Sequence, residues 1–423
     1  AALSLRPGEG GGWRIEDAAW RDDGVLQAEG AARLGPDGAI SDLELALSLD
    51  DLATAGARYL SGFLAPAGFG DLVLAGGGSA RLRMDGGQWS SLSMQLERVN
   101  AIDPRQRFAL AGLHGQVHWA PGAGVPPGQL AWDSAALFGI GLGHARLGFE
   151  GREGALVLRE PVAIDVLNGQ ARLQKLRWQP PRDGRGTQFE LGVALRDLDL
   201  GSLSQPLGWP PFTGRIGGDI PAARYQDNRL TLDGGLRMDV FGGSVSLSRL
   251  EMERPFGVAP TLSADVRLQD IDMEPMTAAF GFGSITGRLD GHIRNLRMVD
   301  WSPVAFEAWL GSDPDWDGRR RISQRAVEDI SRVGGGGGLM GGLQAQALRL
   351  FDDFRYERLG LGCRLRDNVC LMEGVDSAGD GYTIVEGAGL PRITVVGFRR
   401  RVDWPTLVAR LKAATEGQVP VID

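Results

Sequence analysis

The sequence predicts a mainly β protein: a long, curled, taco-like groove formed by an antiparallel, meandering sheet, built from repeats, with a few short helices near the C-terminus. Three observations support this fold class. Apolar and polar residues alternate along segment after segment, turn residues separate these segments, and blocks of sequence recur at an offset of 73 or 74 residues. Alternation with a period of two is typical of strands that have one apolar and one wet face.

Composition limits the possible functions. The 423 residues include 45 basic and 53 acidic side chains, which give a net charge of −8, so binding to nucleic acid is not expected. The 64 glycines are dispersed, which indicates many tight turns and bulges. No apolar run is long enough for a transmembrane helix. The chain begins directly in a predicted strand, and we expect it to be a piece of a longer protein whose export signal or membrane anchor lies upstream.

Six segments between residues 1 and 315 show the alternation most clearly, and their apolar residues are predicted to line the groove. Gly35–Gly38, Asp85–Gly87 and Asp233–Gly235 have the composition of hairpin turns, so a strand is expected to end at each of them. The predicted lining residues are Leu43, Leu45 and Leu47; Leu92, Met94 and Leu96; Val162, Ile164 and Val166; Leu191, Val193 and Leu195; Leu236, Met238 and Val240; and Leu262, Val266 and Leu268.

An internal repeat joins these segments, because three blocks recur in the same order. Repeats that contact chiefly their neighbours make a molecule longer rather than more compact. Each copy contains an Asp-x-Asp pair, and its recurrence favours a role in turns and helix caps, since a catalytic carboxylate pair would occur once. The matched blocks are 165–173 with 239–247, Leu195–Asp199 with Leu268–Asp272, and Thr213–Arg215 with Thr286–Arg288.

The last third of the chain departs from the alternation. We therefore divide the chain into a repeat-built groove over residues 1–315 and an α+β end over residues 316–423. Helices are predicted over Arg319–Val333, over about Leu339–Asp353, and after Asp403, a residue suited to the N-cap position.

The two cysteines, Cys363 and Cys370, flank a turn sequence. They are therefore expected on the two arms of a hairpin, where a disulfide can form if the register places them opposite each other. A disulfide would indicate an oxidising compartment. Two reduced thiols in a cytosolic protein are the alternative.

The C-terminal third also carries the most specific sequence. Together with Phe-Gly-Gly-Ser-Val at 241–245, it resembles the YdbH branch of the AsmA-like family, and the resemblance covers most of residues 140–423. The segments that carry it are 321–326, 334–338, 354–363, 369–372, 389–393 and 402–404.

The resemblance implies a periplasmic protein, anchored in the inner membrane, whose groove conducts phospholipid acyl chains toward the outer membrane. It implies no enzyme activity and no cofactor. A small outer-membrane lipoprotein of the YnbE type is the implied partner, adding strands to the C-terminal end of the groove. An open sheet edge offers unpaired backbone groups for such pairing. We expect this edge at Tyr382, Ile384, Ile393 and Val395.

From the residues themselves, the apolar side of the sheet can be covered in two ways. A vacant groove would bind acyl chains, which gain roughly 0.8 kcal/mol per buried methylene. The alternative is a structural or adhesive β-solenoid whose core its own side chains fill. A hydrolase is a third class, but the sequence has no nucleophile elbow or phosphate loop. His114 and His118 share a predicted strand face without a third metal ligand nearby, so no metal site is expected.

Overall fold

The structure is a computed structural model, and it confirms the predicted mainly β fold class. Within the described residues, 29 strands belong to one antiparallel hydrogen-bonded sheet, and the helices are few and short. The structure describes residues 2–8, 11–65, 68–122, 125–181, 185–204, 213–255, 257–333 and 351–416.

The chain divides into two compact units, and neither ends at the predicted boundary after residue 315. Strand Ser302–Ser312 pairs with strand Asp353–Arg366 across that position, so the sheet continues there without a break. The first unit comprises residues 1–198, 219–233 and 254–258, and the second unit comprises residues 199–218, 234–253 and 259–423.

The N-terminal strands form a meander in which each of β1 to β6 pairs with the strand that follows it. Alternating side chains and short connections produce most of this order, and the helical segment Leu52–Leu64 lies between β4 and β5. The strands of the first half are β1 (Ala2–Pro7), β2 (Trp13–Asp22), β3 (Leu26–Leu34), β4 (Ile40–Leu49), β5 (Val73–Asp85), β6 (Gln88–Ile102), β7 (Phe108–Trp119), β8 (Gly128–Trp132), β9 (Ser134–Leu137), β10 (Ile140–Leu142), β11 (Ala145–Arg152), β12 (Ala155–Leu158), β13 (Val162–Val166), β14 (Gly169–Gln179) and β15 (Gln188–Asp199).

The meander splits after β7, because β7 pairs with both β8 and β9. One path runs through β8, β11 and β12, and the other through β9, β10 and β13. Both paths rejoin at β14. Asp133 occupies the break between β8 and β9. The split therefore replaces full-length strands with two sets of short ones.

In the second unit, the main path runs through β18, β19, β21, β22, β24, β25 and β29. Strand β24 also pairs with β23 and β27, which carry β20, β26 and β28. The remaining strands are β16 (Gly214–Gln226), β17 (Arg229–Val240), β18 (Gly243–Glu253), β19 (Thr261–Asp272), β20 (Ile285–Thr286), β21 (Arg288–Val299), β22 (Ser302–Ser312), β23 (Arg321–Ser323), β24 (Asp353–Arg366), β25 (Val369–Gly374), β26 (Asp376–Ala378), β27 (Gly381–Gly387), β28 (Val395–Gly397) and β29 (Arg401–Asp403).

Two of the three predicted turns are confirmed. At Gly35–Gly38 β3 gives way to β4, and at Asp85–Gly87 β5 gives way to β6. The turn predicted at Asp233–Gly235 was wrong, because these residues lie inside β17. A Cβ atom on Gly235 would lie 2.4 Å from the carbonyl oxygen of Leu247. Glycine therefore permits a close approach of two strands at this position.

The predicted helices are confirmed in part. The segment Arg319–Val333 is helical only from Gln324, because β23 takes the residues before it. The helix predicted over 339–353 lies outside the described residues as far as 350, and Asp353 begins β24 instead. The helices are α1 (Leu52–Ala55), continued by a π-helical turn (Gly56–Leu60) into α2 (Ser61–Leu64), then α3 (Leu200–Ser204), α4 (Met273–Ala279), α5 (Gln324–Val333) and α6 (Trp404–Glu416).

The helix predicted after Asp403 is confirmed as α6. The Asp403 Oδ2 atom accepts hydrogen bonds from the Thr406 backbone N–H at 3.0 Å and from the Thr406 hydroxyl at 2.8 Å. These two bonds hold the pKa of Asp403 below its usual value. Asp403 therefore acts as the predicted N-cap.

Candidate functional site

One side of the sheet is apolar across strand after strand. In the first unit Leu45 of β4 lies opposite Leu82 of β5, Leu82 lies opposite Leu92 of β6, and Leu92 lies opposite Trp119 of β7. Directly opposite residues project from the same side of an antiparallel pair. These four side chains therefore form a row across four strands, and we name this side of the sheet the apolar face.

The second unit has an apolar face of the same kind. Val266 of β19 lies opposite Ile293 of β21, Ile293 lies opposite Ala308 of β22, and Ala308 lies opposite Cys363 of β24. On the β18 side, Leu247 lies opposite Val266. A row of five apolar or sulfur-containing side chains thus crosses five strands.

The opposite side of the sheet, the polar face, alternates with the apolar one. In the first unit Ser48 lies opposite Ser79, Ser79 opposite Gln95, and Gln95 opposite Gln116. These serine and glutamine side chains project from one side of the sheet, and the apolar side chains next to them in sequence project from the other side. The register therefore gives each strand of this region one apolar and one wet side, as the alternation predicts.

All eighteen predicted lining residues lie in described strands, and none is fully exposed. Val166 and Val240, each 7% exposed, are buried, while the other sixteen are partly buried. Side chains packed from both sides are expected to be buried almost completely. Leu47 packs against a buried cluster of Val25, Leu26 and Ala55, and Leu92 and Met94 pack against a second buried cluster around Trp119. The lining residues outside these clusters keep part of their surface exposed among the described residues.

The register brings several of the lining residues together. Val162 of β13 lies opposite Leu173 of β14, and Leu173 lies opposite Val193 of β15. In the next row Ile164 and Leu195 flank Ala171 in the same way. In the second unit Leu262 lies opposite Met298 and Leu268 lies opposite Gly291, on either side of the Val266 row. In β17 the alternation places Leu236, Met238 and Val240 on one side of the strand.

The apolar face is filled by its own side chains around the split in the meander. Trp119, Phe149 and Leu156 belong to a cluster of buried apolar residues there, and Trp178 packs against it. The Trp119 indole N–H donates a hydrogen bond to the Gly154 carbonyl oxygen at 2.8 Å. This cluster was not predicted from the sequence, although the alternation in Val117-His118-Trp119 and in Leu147-Gly148-Phe149 is a usable signal.

Exposed apolar residues near the N-terminus were also missed. Trp13 and Ile40, 49% and 44% exposed, both lie opposite Leu34. Leu5 of β1, 52% exposed, lies opposite Ile15 of β2. The apolar face of the first unit therefore extends over the first three strands, where sequence alternation is weaker.

Cys363 and Cys370 form a disulfide, with their Sγ atoms 1.99 Å apart. The predicted hairpin is present, because β24 and β25 are joined by a turn at Asp367–Asn368. The register differs from the expected one: Cys363 lies opposite Met372, and Cys370 lies opposite Leu365. The cysteines are thus diagonal neighbours on the apolar face, with Cα atoms 5.6 Å apart, which is within disulfide reach.

The predicted docking edge needs correction. Tyr382 and Ile384 belong to β27, which pairs with β28 on one side and with β24 and β26 on the other, so they do not lie on an open edge. All four residues of the prediction are buried. Consecutive residues that are all buried indicate a strand covered on both sides, and Tyr382, Thr383, Ile384 and Val385 are all buried. Val395 belongs to β28, whose one strand neighbour among the described residues is β27, and Ile393 precedes it.

The Asp-x-Asp pairs have the structural roles predicted for them. Asp199 Oδ1 accepts hydrogen bonds from the Ser202 N–H and hydroxyl, both at 2.7 Å, and these bonds hold the pKa of Asp199 below its usual value. Asp272 Oδ1 accepts from the Glu274 N–H at 3.1 Å. Both carboxylates cap the first turn of a short helix.

Among the described residues, no group of three or more metal-ligating side chains lies together. The helices of the described segments include none that is long and apolar enough to span a membrane. Comparison with known proteins gives no relative, since no family profile, curated protein or solved structure matches the chain.

Proposed function

We propose that this chain is part of a periplasmic lipid-transfer protein that carries phospholipid acyl chains along its apolar face, between the inner and outer membranes. The observation that carries the proposal is the partial burial of sixteen of the eighteen lining residues, in rows that continue from strand to strand. A contiguous apolar surface of this extent usually binds a partner or a ligand.

Acyl chains suit this surface better than compact ligands do. Strands lie about 4.8 Å apart, so the partly buried row from Leu45 through Leu82 to Leu92 extends over about 10 Å. Each methylene that leaves water on this row contributes roughly 0.8 kcal/mol. The rows present few hydrogen-bonding groups, so the headgroup would stay in water while the chain lies on the face.

The second candidate is a structural β-solenoid with a filled core, and the buried cluster around Trp119 favours it locally. That cluster lies at the split in the meander, and Leu92 and Met94 of β6 pack against it. The lining residues of β4, β15 and β19 lie outside the cluster and are partly buried. In our proposal the cluster around Trp119 therefore stabilises the split locally, and acyl chains bind to the remaining rows.

Location and partner belong to the same proposal. A disulfide between Cys363 and Cys370 suits an oxidising compartment such as the periplasm. Strands β28 and β29 each have one strand neighbour among the described residues, so either can accept a strand from a small outer-membrane lipoprotein. The proposal includes no catalysis and no cofactor.

A photo-crosslinking scan along β4 tests the lipid path. A photoreactive residue is placed in turn at each position from Asp42 to Ser48, and crosslinks to phospholipid are detected by mass spectrometry. We expect crosslinks at Leu43, Leu45 and Leu47 and few at the positions between them. Equal yields at all seven positions would reject the apolar face as the path.

Charge substitutions give the matching loss of function. A carboxylate against hydrocarbon costs several kcal/mol, so Leu47→Glu and Val193→Glu should each lower the yield of lipid crosslinks at neighbouring positions several-fold. Ser48→Glu is the matched control, because Ser48 is exposed on the polar face one residue away. Circular dichroism establishes that each variant is folded. Unchanged yields in both apolar-face variants would contradict the proposal.

A further inference from the structure

The polar face of the second unit has a cleft of about 820 Å³, within the size range of small-molecule sites. Arg267 of β19 lies opposite His292 of β21, and His292 lies opposite Trp309 of β22, so these three side chains cross the cleft in one row. Asp290 and Arg294 lie on β21 two residues to either side of His292 and line the same cleft. None of these residues has a place on the apolar face.

The Trp309 indole lies against two glycines of the sheet. A Cβ atom on Gly311 would lie 3.0 Å from the Trp309 Nε1 atom, and one on Gly360 would lie 2.9 Å from its Cζ2 atom. Glycine at both positions therefore makes room for the indole against the backbone. The indole is partly buried, and its ring forms part of the cleft lining. An aromatic ring in a cleft is a group on which a sugar ring can stack.

Two arginines of the cleft are free of ion pairs within the described chain, so their charge can interact with a ligand. Arg267 and Arg294 are exposed, and neither forms an ion pair with another residue of the described chain. The nearby Asp265 is already paired with Arg249, and Arg358 is paired with Glu386.

The other polar groups of the cleft suit hydroxyl groups. Asp290 Oδ1 accepts a hydrogen bond from the Asp270 backbone N–H at 2.8 Å, which fixes the carboxylate at the edge of the cleft. Burial, with the charges of Arg294 and Arg267, lowers the pKa of His292 below its usual value. The imidazole is therefore neutral at neutral pH, and it can donate one hydrogen bond and accept another.

We infer that this cleft binds an anionic carbohydrate, with one sugar ring stacked on Trp309 and its carboxylate held by Arg267 and Arg294. Arginine forms paired hydrogen bonds with carboxylates. Asp290 and His292 lie where they can bond to ring hydroxyls. The site lies on the opposite side of the sheet from the proposed lipid path, so glycan and acyl chain would bind independently.

Isothermal titration calorimetry with three probes tests the inference. Trigalacturonate carries both sugar rings and carboxylates, maltotriose carries rings without charge, and inorganic phosphate carries charge without rings. We expect trigalacturonate to bind at least tenfold more tightly than either of the other two. If phosphate binds as tightly as trigalacturonate, the cleft recognises the anion alone. If trigalacturonate does not bind, the cleft is not a glycan site. Either result overturns the inference.

Variants then assign the site. Trp309→Ala and Arg267→Gln should each weaken trigalacturonate binding about tenfold, and Arg267→Gln should also reduce its salt dependence. If Trp309→Ala does not fold, Arg267→Gln decides, because Arg267 is exposed. Arg81→Gln is the matched control, since Arg81 is an exposed arginine in a polar-face cleft of the first unit. Native-like binding by folded Trp309→Ala or by Arg267→Gln would contradict the assignment.

Discussion

Two aspartates of the internal repeat occupy positions where the backbone is left-handed. Asp197 and Asp270, the first members of the two Asp-x-Asp pairs, have φ angles of 53° and 55°. Aspartate tolerates this left-handed conformation better than most residues do. In the second copy, Arg288 Nη1 donates a hydrogen bond to the Asp270 carbonyl oxygen at 2.9 Å. The Arg of the Thr-Gly-Arg block thus fixes the loop that begins with the Asp, so the two blocks recur together.

Tyr382 gives a prediction at the residue scale. Its side chain is 1% exposed, and its hydroxyl has no hydrogen-bond partner within the described chain. A buried polar group without a partner costs roughly 1–3 kcal/mol. We therefore expect Tyr382→Phe to raise the free energy of unfolding by about 1 kcal/mol, measured by urea denaturation. A loss of stability would mean that the hydroxyl has a partner in the folded protein.

The same residue predicts a pH dependence. Burial raises the pKa of Tyr382 to about 12, while an unfolded tyrosine titrates near 10. The contribution of the neutral side chain to stability is therefore complete below pH 10 and is lost as the pH rises toward 12. Native protein should lose stability in this window, and Tyr382→Phe should lose less. If the free energy of unfolding falls equally steeply with pH in the two proteins, Tyr382 is not the group responsible.

At the scale of elements, alternation predicts strands well where one face is wet. It identified β4 and β6 and the turn between β5 and β6, because apolar periodicity and glycine turns both act within a few residues. It failed at Asp233–Gly235 and at β27, where the outcome depends on the neighbouring strand. The sequence of a strand carries little information about which strand lies beside it.

The β24–β25 hairpin gives a prediction at this scale. Its disulfide closes a short loop, since the cysteines are seven residues apart, and a loop of this length contributes about 2 kcal/mol to stability. Dithiothreitol should therefore lower the unfolding free energy of the native protein by about 2 kcal/mol. The double variant Cys363→Ala, Cys370→Ala should show that lower value with and without reductant. A native protein that is indifferent to reductant would contradict the prediction.

At the scale of the molecule, the described strands belong to one sheet, and each unit has an apolar and a polar face. The fold class was predictable, because alternation, turns and the repeat all point to the same architecture. The candidate site was predictable only in part. Alternation identified Leu45 and Val193 as members of one face, but the rows depend on register, and the cluster around Trp119 depends on packing at the split. Those two features arise between strands distant in sequence.

Lipid-linked stability provides the prediction for the whole molecule, and it depends on the proposed function. A ligand that binds only the folded state stabilises it, by about 2.7 kcal/mol at a concentration one hundred times its Kd. Diheptanoylphosphatidylcholine, added below its micelle-forming concentration to delipidated protein, should therefore raise the Tm by a few degrees. Leu47→Glu with Val193→Glu should reduce this rise, because both charges lie on the apolar face, whereas Ser48→Glu should keep it. A Tm that does not change with lipid, or a rise that the double variant retains in full, would mean that the hydrocarbon lies elsewhere and that the partly buried rows are ordinary surface.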